Sequence, residues 1–368
     1  MPAMSIDVFR VPTRGPGDVS GLMELIEQGH LDPSSIIAVL GKTEGNGGVN
    51  DFTREYAVAA LCAALAPCLG LSPNAVEARI AFVMSGGTEG VLSPHLTVFA
   101  RKDVTAASSG PLPDKRLSIG IAHTRDFLPE EIGREAQIVE TRQAVRLAMT
   151  DGGIEDPRDV HFVQIKCPLL TSERIEAAAA RGHQTVTTGA YSSMGYSRGA
   201  SAIGVARALG EVGEGVGEAQ VLKDWDCYSC VASASAGIEL MHNVVIVMGN
   251  SRISQSPFVI GHAVMRDAID LAAVMEAIRS AGLDPLDLKP QDRLVNIFAK
   301  AEASPDGLVR GFRQTMLEDT DITATRHARA AVGGLIGGAA GTGLVYVSGG
   351  AEHQGPPGGG PIAVIARR

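Results

Sequence analysis

The sequence predicts an α/β fold in which three similar α/β repeat units surround a pseudo-three-fold axis and form a central barrel-like core. Two recurrent patterns support this prediction: an apolar run that ends in lysine, and a later run that ends in serine, a small residue, glycine, any residue and glutamate. Each pattern occurs three times, with an arginine between the two. Closure of three such units would bring three equivalent sets of side chains to one centre.

The lysine pattern predicts a buried strand that carries a lysine at its C-terminal end. The apolar runs are short, bounded by turn residues and rich in β-branched side chains, which is typical of interior strands. They occupy residues 37–42, 160–166 and 294–300 and end at Lys42, Lys166 and Lys300.

The serine pattern predicts a second strand that ends at a nucleophile-like hydroxyl. The serine-to-glutamate spacing is the same in all three copies, which cover residues 85–89, 235–239 and 348–352. The serines are Ser85, Ser235 and Ser348. In the middle copy Ser233 precedes Ser235 by two residues, and alternate strand residues share a face, so both serines stay candidates there.

An arginine lies between lysine and serine in each unit, where it is predicted to open an Ala/Gly-rich helix. The three arginines are Arg54, Arg198 and Arg329. Thr53 and Ser197 precede the first two and are predicted helix N-caps. In the third unit two arginines are candidates, Arg326 and Arg329. The spacing of the apolar residues that follow favours Arg329, but only weakly.

Loop composition divides the chain into three repeat units, residues 1–105, 112–250 and 255–368. The first boundary is a Ser-, Ala-, Pro- and Gly-rich stretch, and the second is a polar turn-rich stretch before residue 258. The middle unit is the longest, because a polar loop over residues 181–197 and a Gly/Glu/Val stretch are predicted within it.

Composition excludes several partner classes. The net charge is −9 and aromatic residues make up 4% of the chain, so no basic stripe or stacking platform for nucleic acid is predicted. The N-terminus lacks the features of a signal peptide, and the glycine-rich stretch 331–350 lacks the Leu/Ile/Phe density of a membrane span. The expected location is cytoplasmic, with no membrane partner and with reduced cysteines. Cys227 and Cys230 form a C-x-x-C without a second ligand pair.

The recurrent residues suit amide hydrolysis. A neutral lysine amine can take the proton of a serine hydroxyl, and burial among other cations lowers the pKa of a lysine. The arginines could hold carbonyl oxygens of a substrate ring. The alternative is purely structural, with arginines and glutamates forming ion pairs between the units.

The chain resembles the cyanuric acid hydrolase and barbiturase family of ring-opening amidohydrolases over essentially its full length. The resemblance rests on residues 41–47, 85–90, 233–239 and 348–361. It implies three Ser-Lys dyads around the ring, with the middle dyad, Ser235 and Lys166, catalytic. The implied substrate-binding residues are Lys42, Arg54, Ser85, Gly86, Arg198, Ala236, Lys300, Arg329, Ser348 and Gly349.

The resemblance also implies further properties of this chain. No cofactor is expected for catalysis, but a structural Mg²⁺ or Ca²⁺ is expected near the C-terminus, and the assembly is expected to be a homotetramer. Ring opening of cyanuric acid to carboxybiuret, and then biuret, is the favoured activity. Barbiturate opening, or binding of cyclic imides without turnover, are the alternatives. The implied metal ligands are Glu302, Ala351, Gln354, Gly355, Pro356 and Gly359.

Overall fold

The structure is a computed structural model that describes residues 3–104, 114–286 and 293–368. It contains three four-stranded sheets and one small hairpin. The first sheet comprises β1 (Ala3–Pro12), β2 (Ile36–Thr43), β3 (Ala81–Gly86) and β4 (His95–Val104). The second comprises β5 (Arg116–His123), β6 (Val160–Pro168), β7 (Ala232–Gly237) and β8 (Val244–Ser251). The third comprises β9 (Phe258–Met265), β10 (Leu294–Ala301), β13 (Tyr346–Gly349) and β14 (Gly360–Arg367), and the hairpin comprises β11 (Leu308–Val309) and β12 (Phe312–Arg313).

The three large sheets share one topology. Their strand orders are β1-β4-β2-β3, β5-β8-β6-β7 and β9-β14-β10-β13. In each sheet the last two strands are parallel and the other neighbours are antiparallel. The predicted threefold α/β repeat is therefore confirmed. Each sheet falls within one of the predicted units, but the boundaries at 105 and 112 lie outside the described residues, and the unit limits stay a prediction.

Helices cover the outer face of each sheet. They are α1 (Ser20–Glu27), α2 (Phe52–Leu69), α3 (Pro73–Arg79), α4 (Glu135–Asp151), α5 (Ser172–Ala180), α6 (Ala190–Leu209), α7 (Leu271–Ser280) and α8 (Ala324–Ala340). Each sheet packs one face on its own helices through a separate apolar cluster. By length and composition α2 could cross a membrane, a test that core helices of soluble proteins also pass.

The inner faces of all three sheets meet in one common core. Phe298 lies at its centre, with its ring 6.3 Å from Phe99 of the first sheet, 5.6 Å from Phe162 of the second and 5.7 Å from Tyr346 of its own sheet. A single apolar cluster contains residues from every sheet. Burial of this shared face explains why three similar units close around one axis rather than stack in a row.

Two predicted helix caps were wrong. The N-cap of α2 is Asp51, whose carboxylate accepts from the Thr53 backbone N–H, so Thr53 lies inside the helix. Helix α6 begins at Ala190, within the predicted polar loop, and Ser197 is a buried interior residue that receives a hydrogen bond from Gln137. Residues 190–197, before Arg198, extend that helix. Arg54 therefore lies in the first turn of its helix, whereas Arg198 and Arg329 lie further inside theirs.

Candidate active site

Each lysine faces its serine across a parallel strand pair. In β2 and β3 the register places Lys42 opposite Ser85, in β6 and β7 it places Lys166 opposite Ser235, and in β10 and β13 it places Lys300 opposite Ser348. All six side chains are buried. The order seen in the sequence thus becomes three equivalent Lys-Ser pairs at the C-terminal ends of adjacent parallel strands.

The three serines and three arginines line one small central cavity. The candidate residues that line it are Arg54, Ser85, Gly86, Arg198, Ser235, Ala236, Arg329, Ser348 and Gly349. Gly47, Met84 and Met194 complete the lining and had not been singled out from the sequence. The lysines lie behind the serines, so the cavity presents hydroxyl and guanidinium groups to a ligand.

The lysines also link the units into a closed ring. Each amine donates to the backbone carbonyl that precedes the serine of another unit. These bonds join Lys42 to Val347 at 2.8 Å, Lys166 to Met84 at 3.3 Å and Lys300 to Ala234 at 2.9 Å. Because each unit donates once and accepts once, the three strand ends are held around the cavity in a cyclic arrangement.

The middle pair differs from the other two. The amines of Lys42 and Lys300 donate to their own serines at 3.2 and 3.1 Å. The Lys166 amine instead contacts the Glu239 carboxylate at 2.7 Å, and the Ser235 hydroxyl is paired with the Ser348 hydroxyl at 3.1 Å. The predicted catalytic pair is adjacent in register but is not hydrogen-bonded in this structure.

Burial lowers the pKa of all three lysines. For Lys42 burial is assisted by the Arg329 charge, and for Lys300 burial and Arg198 bring the pKa to about 7. Burial also lowers the pKa of Lys166, but the Glu239 carboxylate opposes this effect. An amine with a lowered pKa can be neutral near physiological pH and can accept a proton.

Two of the arginines form bidentate ion pairs across unit boundaries. Arg329 binds Glu89 of the first unit at 2.7 and 2.6 Å, and Arg198 binds Glu352 of the third unit at the same two distances. Both contacts match the structural ion pairs considered as an alternative. Arg326 also contacts Glu89, at 3.1 Å, but its side chain is 44% exposed compared with 3% for Arg329, which makes Arg329 the residue equivalent to Arg198.

Arg54 lacks the corresponding ion pair. Its Nη2 donates to the Gly48 carbonyl at 3.0 Å, while its Nε is buried without a hydrogen-bond partner in the described parts of the chain. The equivalent glutamate, Glu239, is the one that contacts Lys166. Among the described residues, the lysine, serine, arginine and glutamate contacts therefore depart from the threefold pattern around the middle dyad.

The structure separates the two serines of the middle copy. Ser233 is fully buried and donates to Gln164 at 2.9 Å, one step below Ser235 on the same face of β7. Ser235 lines the cavity with Ser85 and Ser348. This placement favours Ser235 as the residue that meets a bound ring.

The implied metal ligands lie where β10 ends against the tail loop. Glu302 is half-buried, and desolvation of its carboxylate together with the Glu352 carboxylate raises its pKa. The loop packs closely there, because a Cβ on Gly358 would lie 2.7 Å from the Ser304 Cβ. The Gln354 side chain is already hydrogen-bonded to the backbone, which leaves main-chain carbonyl oxygens as the available metal ligands. Across the described residues no cluster of three His, Cys, Asp or Glu side chains forms.

Several residues that lie at the site were not identified from the sequence. The glutamates were visible in the serine pattern, but their pairing between units required the fold. Tyr346 lies two residues before Ser348, and its ring is 5.8 Å from the Lys42 amine. Burial raises the pKa of its phenol. The other copies have valine and serine at that position, so no repeat signal identified it.

Comparison with known proteins places this chain in a family. The family model described as amidohydrolase ring-opening protein matches residues 7–367. The chain belongs to this family. A cyanuric acid amidohydrolase of Bradyrhizobium diazoefficiens is 72% identical over 368 residues, covering 100% of this chain and 99% of that protein. A cyanuric acid amidohydrolase of Pseudomonas sp. (strain ADP) is 61% identical, covering 98% and 99%.

Solved structures of this amidohydrolase family share the fold. One cyanuric acid hydrolase structure superposes with a TM-score of 0.95 at 60% identity and covers 100% of both chains. A second, from A. caulinodans, gives a TM-score of 0.90 at 47% identity and covers 99% of each chain. The family is one of enzymes, and this chain is a cyclic amide hydrolase.

Proposed function

We propose that this protein opens the ring of cyanuric acid by hydrolysis of a ring amide bond. The observation that supports this most directly is the cavity in which three serines and three arginines recur at equivalent positions. A ring with three equivalent acyl-amide edges would present one edge to each unit. The relatives described as cyanuric acid amidohydrolases support the same substrate.

In the proposed reaction Ser235 is the nucleophile and Lys166 is its base. Neutral Lys166 takes the hydroxyl proton as the Ser235 oxygen attacks a ring carbonyl, and the ring C–N bond then breaks, with the lysine returning the proton to the leaving nitrogen. Water hydrolyses the resulting ester and releases carboxybiuret, which loses carbon dioxide to give biuret. Ser85 with Lys42, and Ser348 with Lys300, hold the other two edges of the ring.

The arginines would bind and orient the ring. Arg198 and Arg329 are held by bidentate carboxylate contacts, so their guanidinium groups are positioned before the ligand arrives. Arg54 is less constrained, with one backbone contact. Lysines and arginines around the cavity also favour an oxyanion at the attacked carbonyl.

The test compares serine variants that the repeat makes equivalent. Loss of ultraviolet absorbance is followed with cyanuric acid and barbituric acid in parallel, for the parent, Ser235→Ala, Ser85→Ala and Ser348→Ala. Removal of the nucleophile should lower kcat by at least about 10³-fold. The other two variants should mainly raise KM, by about 10-fold for each lost hydrogen bond. Turnover of barbituric acid alone would replace the substrate, and loss of turnover in Ser85→Ala or Ser348→Ala alone would move the nucleophile.

A bound divalent cation is proposed to stabilise the tail loop. Glu302 is half-buried and its carboxylate lies near that of Glu352, so an oxygen-ligated cation would offset their repulsion, which fits Mg²⁺ or Ca²⁺. The main-chain carbonyls of Ala351, Gln354, Gly355, Pro356 and Gly359 would supply the remaining donors. Such an ion would neutralise charge near Arg198 and Lys300 and would take no part in the reaction.

A cytoplasmic homotetramer is the proposed assembly. All five cysteines are free thiols, which is compatible with a reducing compartment. Light scattering coupled to size-exclusion chromatography would give a mass near four times 38.2 kDa. A mass of one or two chains would contradict the tetramer, and recovery outside the cytoplasmic fraction would contradict the location.

A further inference from the structure

The three copies of the site provide an internal comparison. In the first and third copies the glutamate after the serine is held by an arginine of another unit, and the lysine contacts its serine. In the middle copy the glutamate holds the lysine, and the matching arginine has a buried Nε without a partner in the described chain. In Arg329 and Arg198 the equivalent Nε atom donates to the glutamate, at 2.7 Å in both cases.

We propose that Glu239 is a positioning residue that exchanges between Lys166 and Arg54, and that its move to Arg54 when the ring binds brings the Lys166 amine onto Ser235. This inference rests on the proposed function. The outer copies show the arrangement that the middle copy would then adopt. The Arg54–Glu239 pair would join the first and second units, just as Arg329–Glu89 joins the third to the first and Arg198–Glu352 joins the second to the third.

Local space and backbone support the exchange. The Glu239 side chain is 26% exposed, compared with 12% for Glu89 and 16% for Glu352. Gly87 and Gly350 have φ of +104° and +75°, and the neighbouring arginine lies against each of them. Gly237 occupies the same position with φ outside that region, and the Glu239 carboxylate folds back against it. A glycine at 237 leaves the backbone free to take the conformation seen in the outer copies.

The exchange also accounts for the proton. The Glu239 carboxylate favours the ammonium form of Lys166, which cannot act as a base. When the carboxylate moves to Arg54, the ammonium loses its counter-charge and releases one proton to water, and the neutral amine then accepts the Ser235 proton. A cavity of about 520 Å³ is lined by Lys166 and Glu239 but not by the three site serines, and it gives that water access.

Other charged groups face the pair and belong to the same electrostatic balance. Arg54 acts on both Lys166 and Glu239, and Arg174 of α5 acts on Glu239. Glu77, His123 and His242 line the same outer cavity. Cys167 is the neighbour of Lys166 within β6. These groups are unchanged in the substitutions below, so the comparison isolates the carboxylate.

The experiment compares pH profiles of kcat/KM and kcat for the parent, Glu239→Gln and Glu239→Asp, with whichever ring the parent opens. The kcat/KM profile reports the free enzyme, where the carboxylate raises the pKa of Lys166, so Glu239→Gln should shift its acid limb to lower pH by about one to three units. The acid limb of kcat, which reports the complex, should stay in place. Glu239→Asp keeps the charge and should shift the acid limb of kcat/KM in the same direction by a smaller amount. This variant replaces Glu239→Gln in the test if the glutamine variant does not fold.

Glu89→Gln and Glu352→Gln are matched controls at the equivalent positions. They release arginines rather than a lysine, so they should raise KM and leave both acid limbs in place. Equal shifts of both limbs in Glu239→Gln, or no shift of either, would overturn the exchange while leaving the proposed function intact. A parent that opens neither ring would overturn the proposed function and the exchange with it.

Discussion

His95 should make the stability of the protein depend on pH. It is fully buried at the start of β4, opposite Lys42. Its Nδ1 contacts the Ser93 carbonyl at 2.9 Å, and its Nε2 faces the Asn296 amide of the third sheet at 3.4 Å. These partners suit a neutral ring that donates from Nδ1 and accepts at Nε2. His95 therefore joins the first and third sheets in its neutral form.

The size of the effect follows from the pKa. Burial lowers the pKa of His95 from 6.5 to about 4, against the opposing contact with Ser93. The unfolded chain therefore binds the proton more tightly than the folded protein does. The stability is fully present above about pH 6.5 and is lost as pH falls toward 4. One pKa unit corresponds to about 1.4 kcal/mol, so about 2 kcal/mol should be lost between pH 7.5 and pH 5.

Urea unfolding of the parent and of His95→Gln at both pH values would measure this loss. Circular dichroism and Trp225 fluorescence give the free energy of unfolding. At pH 7.5 the parent should be the more stable protein, and at pH 5 its advantage should be smaller by about 2 kcal/mol. The half-buried pair His161 and His262 is present in both proteins and cancels in the difference.

His30→Gln, at an exposed position, is the matched control and should leave the difference between the two pH values unchanged. If the parent and His95→Gln differ by the same free energy at pH 7.5 and pH 5, then His95 does not stay neutral in the folded protein. The reasoning from burial would then be refuted.

Three further outcomes are expected. Arg329→Gln should raise KM for cyanuric acid by more than about 10-fold, because it removes a buried charged donor. Arg326→Gln should change KM by less than about 3-fold. Equal effects of the two substitutions in steady-state kinetics would contradict the assignment of Arg329. In scanning calorimetry, Mg²⁺ or Ca²⁺ should raise the Tm of the parent by about 2 to 5 °C compared with a sample that contains a chelator. Glu302→Gln should abolish this increase. A parent whose Tm responds to neither ion would exclude the site. Ser233→Ala should lower the free energy of unfolding in urea by about 1–3 kcal/mol, because Gln164 loses its buried hydrogen-bond partner, and it should keep turnover. Loss of turnover in a folded variant would make Ser233 the nucleophile.

The residues that recur in the sequence determined the fold class and most of the candidate site. A strand that ends in lysine and a strand that ends in Ser-small-Gly have local signals, because burial and turns constrain short segments. Three ordered copies then imply three similar environments. The cavity contains the predicted serines and arginines for this reason. The helix starts were less predictable, since the mixed residues 190–197 before Arg198, and Thr325 before Arg326, are tolerated both inside and outside a helix.

Only the tertiary structure decided which charged groups pair. Arg198 meets Glu352 and Arg329 meets Glu89 because closure brings the loop after the serine strand of one unit against the helix of another, over separations of 154 and 240 residues. The sequence shows three equivalent copies, whereas the folded chain gives Glu239 to Lys166 and leaves Arg54 with a backbone contact. A repeat determines which groups are present, but burial, charge and the space around each copy determine which contacts they make, because these depend on neighbours that are distant in the sequence.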